Sequence, residues 1–125
     1  MQYAAEKIEA SGNKSVILCE RGSCFGYRDL VVDFRNLQIM HELGYPVIFD
    51  ATHSVMKMGA AGGKSSGNRE YVGLLASAAV TAPISGLFLE VHDNPDQAPS
   101  DGANMLNISS FKELLKKICQ IRACL

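Results

Sequence analysis

Neither sign of charge dominates this chain, which carries 12 Lys and Arg against 13 Asp and Glu for a net charge of -1. That balance excludes the basic stripe a nucleic-acid partner requires, and no acidic tail is present. No apolar run approaches the roughly 20 residues of a membrane span, so no membrane association is expected. The start, Met1 to Gly12, reads as an amphipathic helix without the apolar centre of a signal peptide, which makes the cytoplasm the expected location. Cysteine is scarce and spaced wrongly for metal or redox work: Cys19/Cys24 and Cys119/Cys124 are pairs with four residues between them, not C-x-x-C. Three of these thiols are read as buried or incidental in a reducing compartment, and Cys24, in a polar loop, as the one near a site. Repeats and linkers are also absent. The 125 residues are therefore one domain, 1–125, and short of the about 250 residues of a complete α/β barrel.

What is there is an alternation of helical and strand patterns. Helix is expected over Gln2 to Ala10, Asp33 to Leu43, Asn68 to Thr81 and Ser110 to Arg122, and strand over Val16 to Glu20, Pro46 to Ala51 and Gly86 to Glu90. Ser11-Gly12-Asn13 and Gly44 are the stop signals of the first two helices, and Ser109 or Ser110 is the expected cap of the last. Tyr71, Val72, Leu74, Leu75, Ala78 and Ala79 form the apolar stripe of the third helix. The strands are short continuous apolar runs, the pattern of a parallel sheet covered on both faces. The order is α(βα)3, an α/β class chain whose strand spacing suits βαβ units. Three strands leave two open edges, so the sheet is expected to be part of a larger α/β protein.

Each strand run ends in ionisable residues: Glu20-Arg21, Asp50-Ala51-Thr52-His53 and Glu90-Val91-His92. Carboxyl ends of parallel strands are where α/β folds bind ligands and do chemistry, so an enzyme, or part of one, is the favoured class. Arg21, followed by Gly22, can aim a bidentate fork at phosphate or carboxylate, or it can be tied up structurally by Glu20 or Asp29. His53, Glu90 and Asp101 fit either a divalent-metal site or a proton-transfer cluster, and spacing alone does not bring them together. His92 is a candidate for a group behind those ligands, and His41 is expected on the solvent face of a helix. The glycine-rich run Gly59 to Gly67 is not a nucleotide P-loop, because only three residues separate Gly59 from Gly63 where the signature has four. A loop over an active site and a plain surface loop both remain open.

Four ordered stretches, Cys19-Glu-Arg-Gly-Ser-Cys-Phe-Gly-Tyr27, Asp29-Leu-Val-Val-Asp33, Pro46-Val-Ile-Phe-Asp-Ala-Thr-His-Ser-Val55 and Ser100-Asp-Gly-Ala-Asn-Met-Leu106, together resemble 3-deoxy-D-manno-octulosonate 8-phosphate synthase. The resemblance covers essentially the whole chain and corresponds to the carboxy-terminal half of that enzyme. It implies a partial (β/α)8 TIM barrel comprising the last three strands. It also implies a transferase that condenses phosphoenolpyruvate with arabinose 5-phosphate, releasing phosphate, on the route to the Kdo sugar of lipopolysaccharide. The implied chemistry is attack of the enol carbon on the aldehyde, water addition at the adjacent carbon, then loss of phosphate. By resemblance Arg21 grips the phosphoenolpyruvate phosphate, His53 and Asp101 are catalytic, and His53 and Asn104 bind substrate. In metal-dependent members His53, Glu90 and Asp101 hold a zinc, iron or manganese ion, whereas other members use none. The Gly59 to Gly67 run matches the loop that closes over the site. Members are homotetramers, which implies a homo-oligomer.

The chain departs from the family pattern where Met56 stands for a glutamine, Met58 for a proline and Val91 for a threonine. A thioether donates no hydrogen bond, so Met56 reads as relaxed constraint. The family's lysines for phosphoenolpyruvate, its arginine-serine pair for the pentose phosphate, and the Cys or Asn that decides metal use lie in the amino-terminal half. Two readings stay open: the carboxy-terminal half of a working synthase, or a truncated non-catalytic remnant serving as an interaction fragment. An exposed apolar face and open strand edges are expected to make the chain alone self-associate.

Overall fold

A computed structural model describes residues 1–27, 29–57 and 66–125. In chain order its elements are α1 (Gln2–Ala10), β1 (Leu18–Glu20), β2 (Cys24–Phe25), β3 (Leu30–Val31), α2 (Arg35–His41) and β4 (Val47–Asp50). There follow β5 (Met56–Lys57), β6 (Ser66–Gly67), α3 (Val72–Ala79), β7 (Gly86–Phe88) and α4 (Ile108–Ala123). Short 3-10 turns cover His53–Val55, Arg69–Tyr71 and Pro95–Gln97. All four expected helices and all three expected strands are present, each strand two residues shorter than expected. No described helix is long and apolar enough to cross a membrane.

β1, β4 and β7 form a parallel sheet in the order β1-β4-β7. The register pairs Cys19 with Ile48 and Ile48 with Gly86. Because side chains alternate along a pleat, Leu18, Val47, Phe49 and Leu87 share one face, and Ile17, Cys19, Ile48, Gly86 and Phe88 the other. The first face carries the core. Leu37, Val47, Phe49, Val72, Ala76 and Ala79 are fully buried there, with Phe34 tilted against Phe49 at 5.9 Å between ring centres. The second face is open: Ile17 is 61% exposed and Phe88 40%. The expectation of a sheet covered on both faces is therefore corrected, because among the described residues helices pack on one face only.

Two helical details also differ from the sequence reading. In α3 the buried positions are Val72, Ala76 and Ala79, whereas Tyr71, Leu74 and Ala78 of the expected stripe are exposed. The spacing i, i+4, i+7 places three small or branched residues on one line, which lets the helix lie close to the sheet. α4 is capped not by Ser109 or Ser110 but by Asn107, whose side-chain oxygen accepts the Ser110 N–H at 2.8 Å. α4 packs on α3 at Gly73, where an added Cβ would already lie 3.8 Å from Leu114. Its far end is tied down by Arg122, which donates to the carbonyls of Val80, Ala82 and Ile84.

The two helix stops behave as read: Gly12 and Gly44 take positive φ of 99° and 84° just past α1 and α2. All four cysteines are exposed, so of the reading of Cys19, Cys119 and Cys124 as buried or incidental, the buried alternative fails. Partial burial and then the Asp50 carboxylate push the Cys19 thiol up from its ordinary pKa.

Candidate active site

The carboxyl ends of the three parallel strands carry a rim of small elements. β2 and β3 pair antiparallel, as do β5 and β6. The two ribbons are joined by a bridge between Asp29 and Lys57 and by Asn68 Nδ2 donating to Asp29 Oδ2 at 3.3 Å. Beyond β7 the chain pairs Val91 with Leu106 in a parallel bridge, and the His92 N–H reaches the Leu106 carbonyl at 3.0 Å. Residues from sequence positions 20 to 106 are thus gathered at one end of the sheet.

At the end of β1, Glu20 is buried and occupied. Its carboxylate accepts the Gly22 N–H at 2.6 Å and the Asn36 amide at 3.1 Å. Gly22 turns the chain with φ of 101° immediately after Arg21. Arg21 forms no ion pair among the described residues; its Nη2 meets the Met56 thioether sulfur at 3.2 Å. The structural alternative of a bridge to Glu20 or Asp29 is not what forms. A thioether is a weak acceptor, so the guanidinium keeps most of its donor capacity for an anion.

At the end of β4, the Asp50 carboxylate organises the turn that follows. Oδ1 accepts the N–H groups of Thr52 at 3.0 Å and His53 at 2.9 Å, and Oδ2 lies 2.7 Å from His53 Nδ1. The His53 ring stacks on Phe88 of the open face at 6.0 Å. Its other nitrogen, Nε2, is 3.7 Å from Glu90 Oε1. The Glu90 backbone N–H donates to Thr52 Oγ1 at 2.7 Å, which locks the end of β7 to the β4 turn.

His53, Glu90 and Asp101 each offer one ligand atom, and these atoms all lie within 4.8 Å of one another. A zinc-like ion with bonds of about 2.0–2.2 Å spaces its ligand atoms by roughly 3–4.4 Å, so small side-chain adjustments close the set around a cation. One imidazole nitrogen with two carboxylate oxygens suits zinc, iron or manganese. Asp101 sits at positive φ of 51°, a conformation aspartate tolerates better than most residues. Its carbonyl accepts the Asn104 N–H at 2.8 Å. Arg69 steadies the same loop, donating through Nη2 to Asp96 Oδ1 at 2.9 Å and to the Gly102 carbonyl.

Asn104 is fully buried, and neither its Oδ1 nor its Nδ2 has a hydrogen-bond partner among the described residues. It lies directly against Gly67, where a Cβ would come within 1.4 Å of Oδ1. The glycine-rich run Gly59 to Gly67, expected to be a loop over the site or at the surface, lies outside the described residues over 59–65; Ser66 and Gly67 are its described end.

The structure thus joins His53, Glu90 and Asp101, which spacing alone left apart. His41 is exposed on α2, as expected. His92 does not back the cluster: its Nδ1 accepts the Asn94 N–H at 3.0 Å and neighbours Asp93. Asp50 and Thr52 fill that supporting position, and the signal for Asp50 was an acid three residues before the histidine.

Comparison with known proteins agrees with this architecture. A relative from Synechococcus sp., named 2-dehydro-3-deoxyphosphooctonate aldolase, is 52% identical over 98% of this chain and 43% of its own length. Relatives of the same name from Agrobacterium fabrum and Cyanothece sp. are 52% and 51% identical over 94% and 100% of this chain. The chain spans less than half of their length, 42% and 46% respectively. That name denotes the synthase that the four motifs resemble. Among solved structures, a phospho-2-dehydro-3-deoxyheptonate aldolase (DAHP synthase) from Thermotoga maritima superposes with a TM-score of 0.81 at 31% identity. The superposition covers 98% of this chain and 34% of that one. The fold is accordingly part of a (β/α)8 barrel, and the open sheet face is the one that lines a barrel's interior. The DAHP synthetase I family profile matches residues 1–124, so this chain belongs to the DAHP synthetase I family.

Proposed function

We propose that this chain supplies the carboxy-terminal part of an active site that condenses phosphoenolpyruvate with arabinose 5-phosphate. The products are 3-deoxy-D-manno-octulosonate 8-phosphate and phosphate, the sugar serving lipopolysaccharide synthesis. The observation that carries the proposal is the clustering of His53, Glu90 and Asp101 beyond the carboxyl ends of β4 and β7, with Arg21 at the end of the adjacent β1. The relatives' printed name and about 50% identity support the substrate class. Arg21 holds the phosphoenolpyruvate phosphate through its two-pronged guanidinium, exchanging the Met56 sulfur for an anion. His53 and Asp101 flank the reacting carbons as hydrogen-bonding and proton-carrying groups. The unpartnered Asn104 amide is available to a substrate hydroxyl. His53, Glu90 and Asp101 would hold a divalent zinc, iron or manganese ion. Such an ion supplies Lewis-acid polarisation of a carbonyl oxygen and neutralises developing charge. The remaining phosphate-binding lysines and the pentose-phosphate contacts come from outside these residues. Assembly as a homo-oligomer and a cytoplasmic location, where both charged phosphate esters are retained, complete the proposal.

A second reading, a non-catalytic interaction fragment, draws on the open face with Ile17 and Phe88 exposed. Titration calorimetry with phosphoenolpyruvate separates the two. The first reading expects binding that Arg21→Ala weakens by about 10- to 150-fold, the 1.5–3 kcal/mol of charge-assisted hydrogen bonds. An unchanged Kd in the variant rejects the role of Arg21, and no binding in the parent chain selects the second reading.

A further inference from the structure

We infer that Asp50 is a positioning residue that sets both His53 and Glu90 toward the cation site. The inference deepens the proposed function and rests on its metal reading. Asp50 is buried and is not itself one of the clustered ligands. Both its oxygens are committed: Oδ1 to two backbone N–H groups of the turn and Oδ2 to the His53 ring. A carboxylate oxygen only accepts, so the 2.7 Å contact places the ring proton on Nδ1 and leaves the Nε2 lone pair toward Glu90. Phe88 flanks the ring, with 6.0 Å between ring centres.

The same carboxylate governs the second ligand at one remove. Its Oδ1 fixes the Thr52 N–H, and Thr52 Oγ1 accepts the Glu90 N–H at 2.7 Å. One acid on β4 therefore orients a nitrogen ligand on its own strand end and, through Thr52, bears on the backbone from which an oxygen ligand on the next strand end projects. Partners of this kind behind metal-binding histidines typically change metal affinity by about 10- to 100-fold when altered.

Asp50→Asn separates this role from mere capping of the turn. The asparagine Oδ1 still accepts the Thr52 and His53 N–H groups, so the turn is kept. Its Nδ2 donates to the ring, which moves the ring proton to Nε2 and removes the ligand lone pair. Cobalt(II) is the probe, titrated into the full chain and read by its visible d–d absorption and by competition with a chromophoric chelator. Asp50→Asn is expected to weaken cobalt binding by about 10- to 100-fold, with the melting temperature of the metal-free chain within a few degrees of the parent. Thr52→Val, which keeps side-chain volume but loses the acceptor for Glu90, is expected to weaken it by about tenfold and covers the case in which Asp50→Asn does not fold. Parent-like cobalt affinity in Asp50→Asn overturns the inference, as does parent-like affinity in Thr52→Val should Asp50→Asn not fold. Failure of the parent chain to bind cobalt overturns the metal reading, and the inference with it.

Discussion

Replacing Gly67 by alanine is expected to destabilise the chain strongly, and to do so only while Asn104 is present. The added Cβ would sit 1.4 Å from Asn104 Oδ1 and 2.6 Å from its Cγ, well inside van der Waals contact. Asn104 cannot swing out of the way cheaply, because it is fully buried. Overpacking of this kind costs about 1–3 kcal/mol, and an overlap this deep belongs at the upper end, roughly 3 kcal/mol. For a domain of this size that is a fall in Tm of roughly 10 °C. Asn104→Ala alone should change stability by no more than about 1 kcal/mol, since the cavity it leaves is offset by removing two buried amide atoms without partners. The double variant should then be close to Asn104→Ala, a coupling of about 2–3 kcal/mol by urea or thermal unfolding. Equal destabilisation by Gly67→Ala in both backgrounds would refute the reasoning.

Two further outcomes follow from the exposed surface. The Cys19 thiol, held above its ordinary pKa by burial and by the Asp50 carboxylate, should alkylate with iodoacetamide at pH 8 more slowly than a free cysteine peptide, because less of it is thiolate. Peptide mass spectrometry reads the rate directly, and labelling as fast as the peptide contradicts the shift. The open sheet face, with Ile17 and Phe88 exposed beside two strand edges that are unpaired among the described residues, should make the isolated chain self-associate on gel filtration. A sharp monomer peak with a cooperative melt would show that this face needs no cover.

The periodic parts of the fold were readable because they are long enough to show a period. Gln2 to Ala10 is recovered to the residue, and α2, β4 and α4 lie within one or two residues of their expected ends. The rim ribbons were not readable: β2, β3, β5 and β6 are two residues each, too short for alternation to register. Asn107 lost the capping role to its serine neighbours in the sequence reading because all three are good caps, and only geometry decides among them. An apolar run such as Val47 to Phe49 marks a buried strand without stating what covers each side, so the run suggested cover on both faces, and only the half-barrel resemblance implied an exposed one. In the site, residue types at strand ends identified Arg21, His53 and Glu90. The contact between His53 and Glu90 spans 37 positions, so the chain's path, and not local spacing, creates it. Asp50 was passed over because an acid beside a histidine three residues on becomes a partner only when a tight 3-10 turn follows.

Arg69 grips the loop of Asp101 at both its ends, through Asp96 and the Gly102 carbonyl. Residues 97–101 are thereby a closed span whose anchors stay put whatever lies between them. Closing a somewhat longer span costs only about 0.6 kcal/mol per doubling of length. Asp101 lies inside that span, so a change of length between 97 and 100 would shift this member of the ligand cluster while leaving β7 and α4 in place.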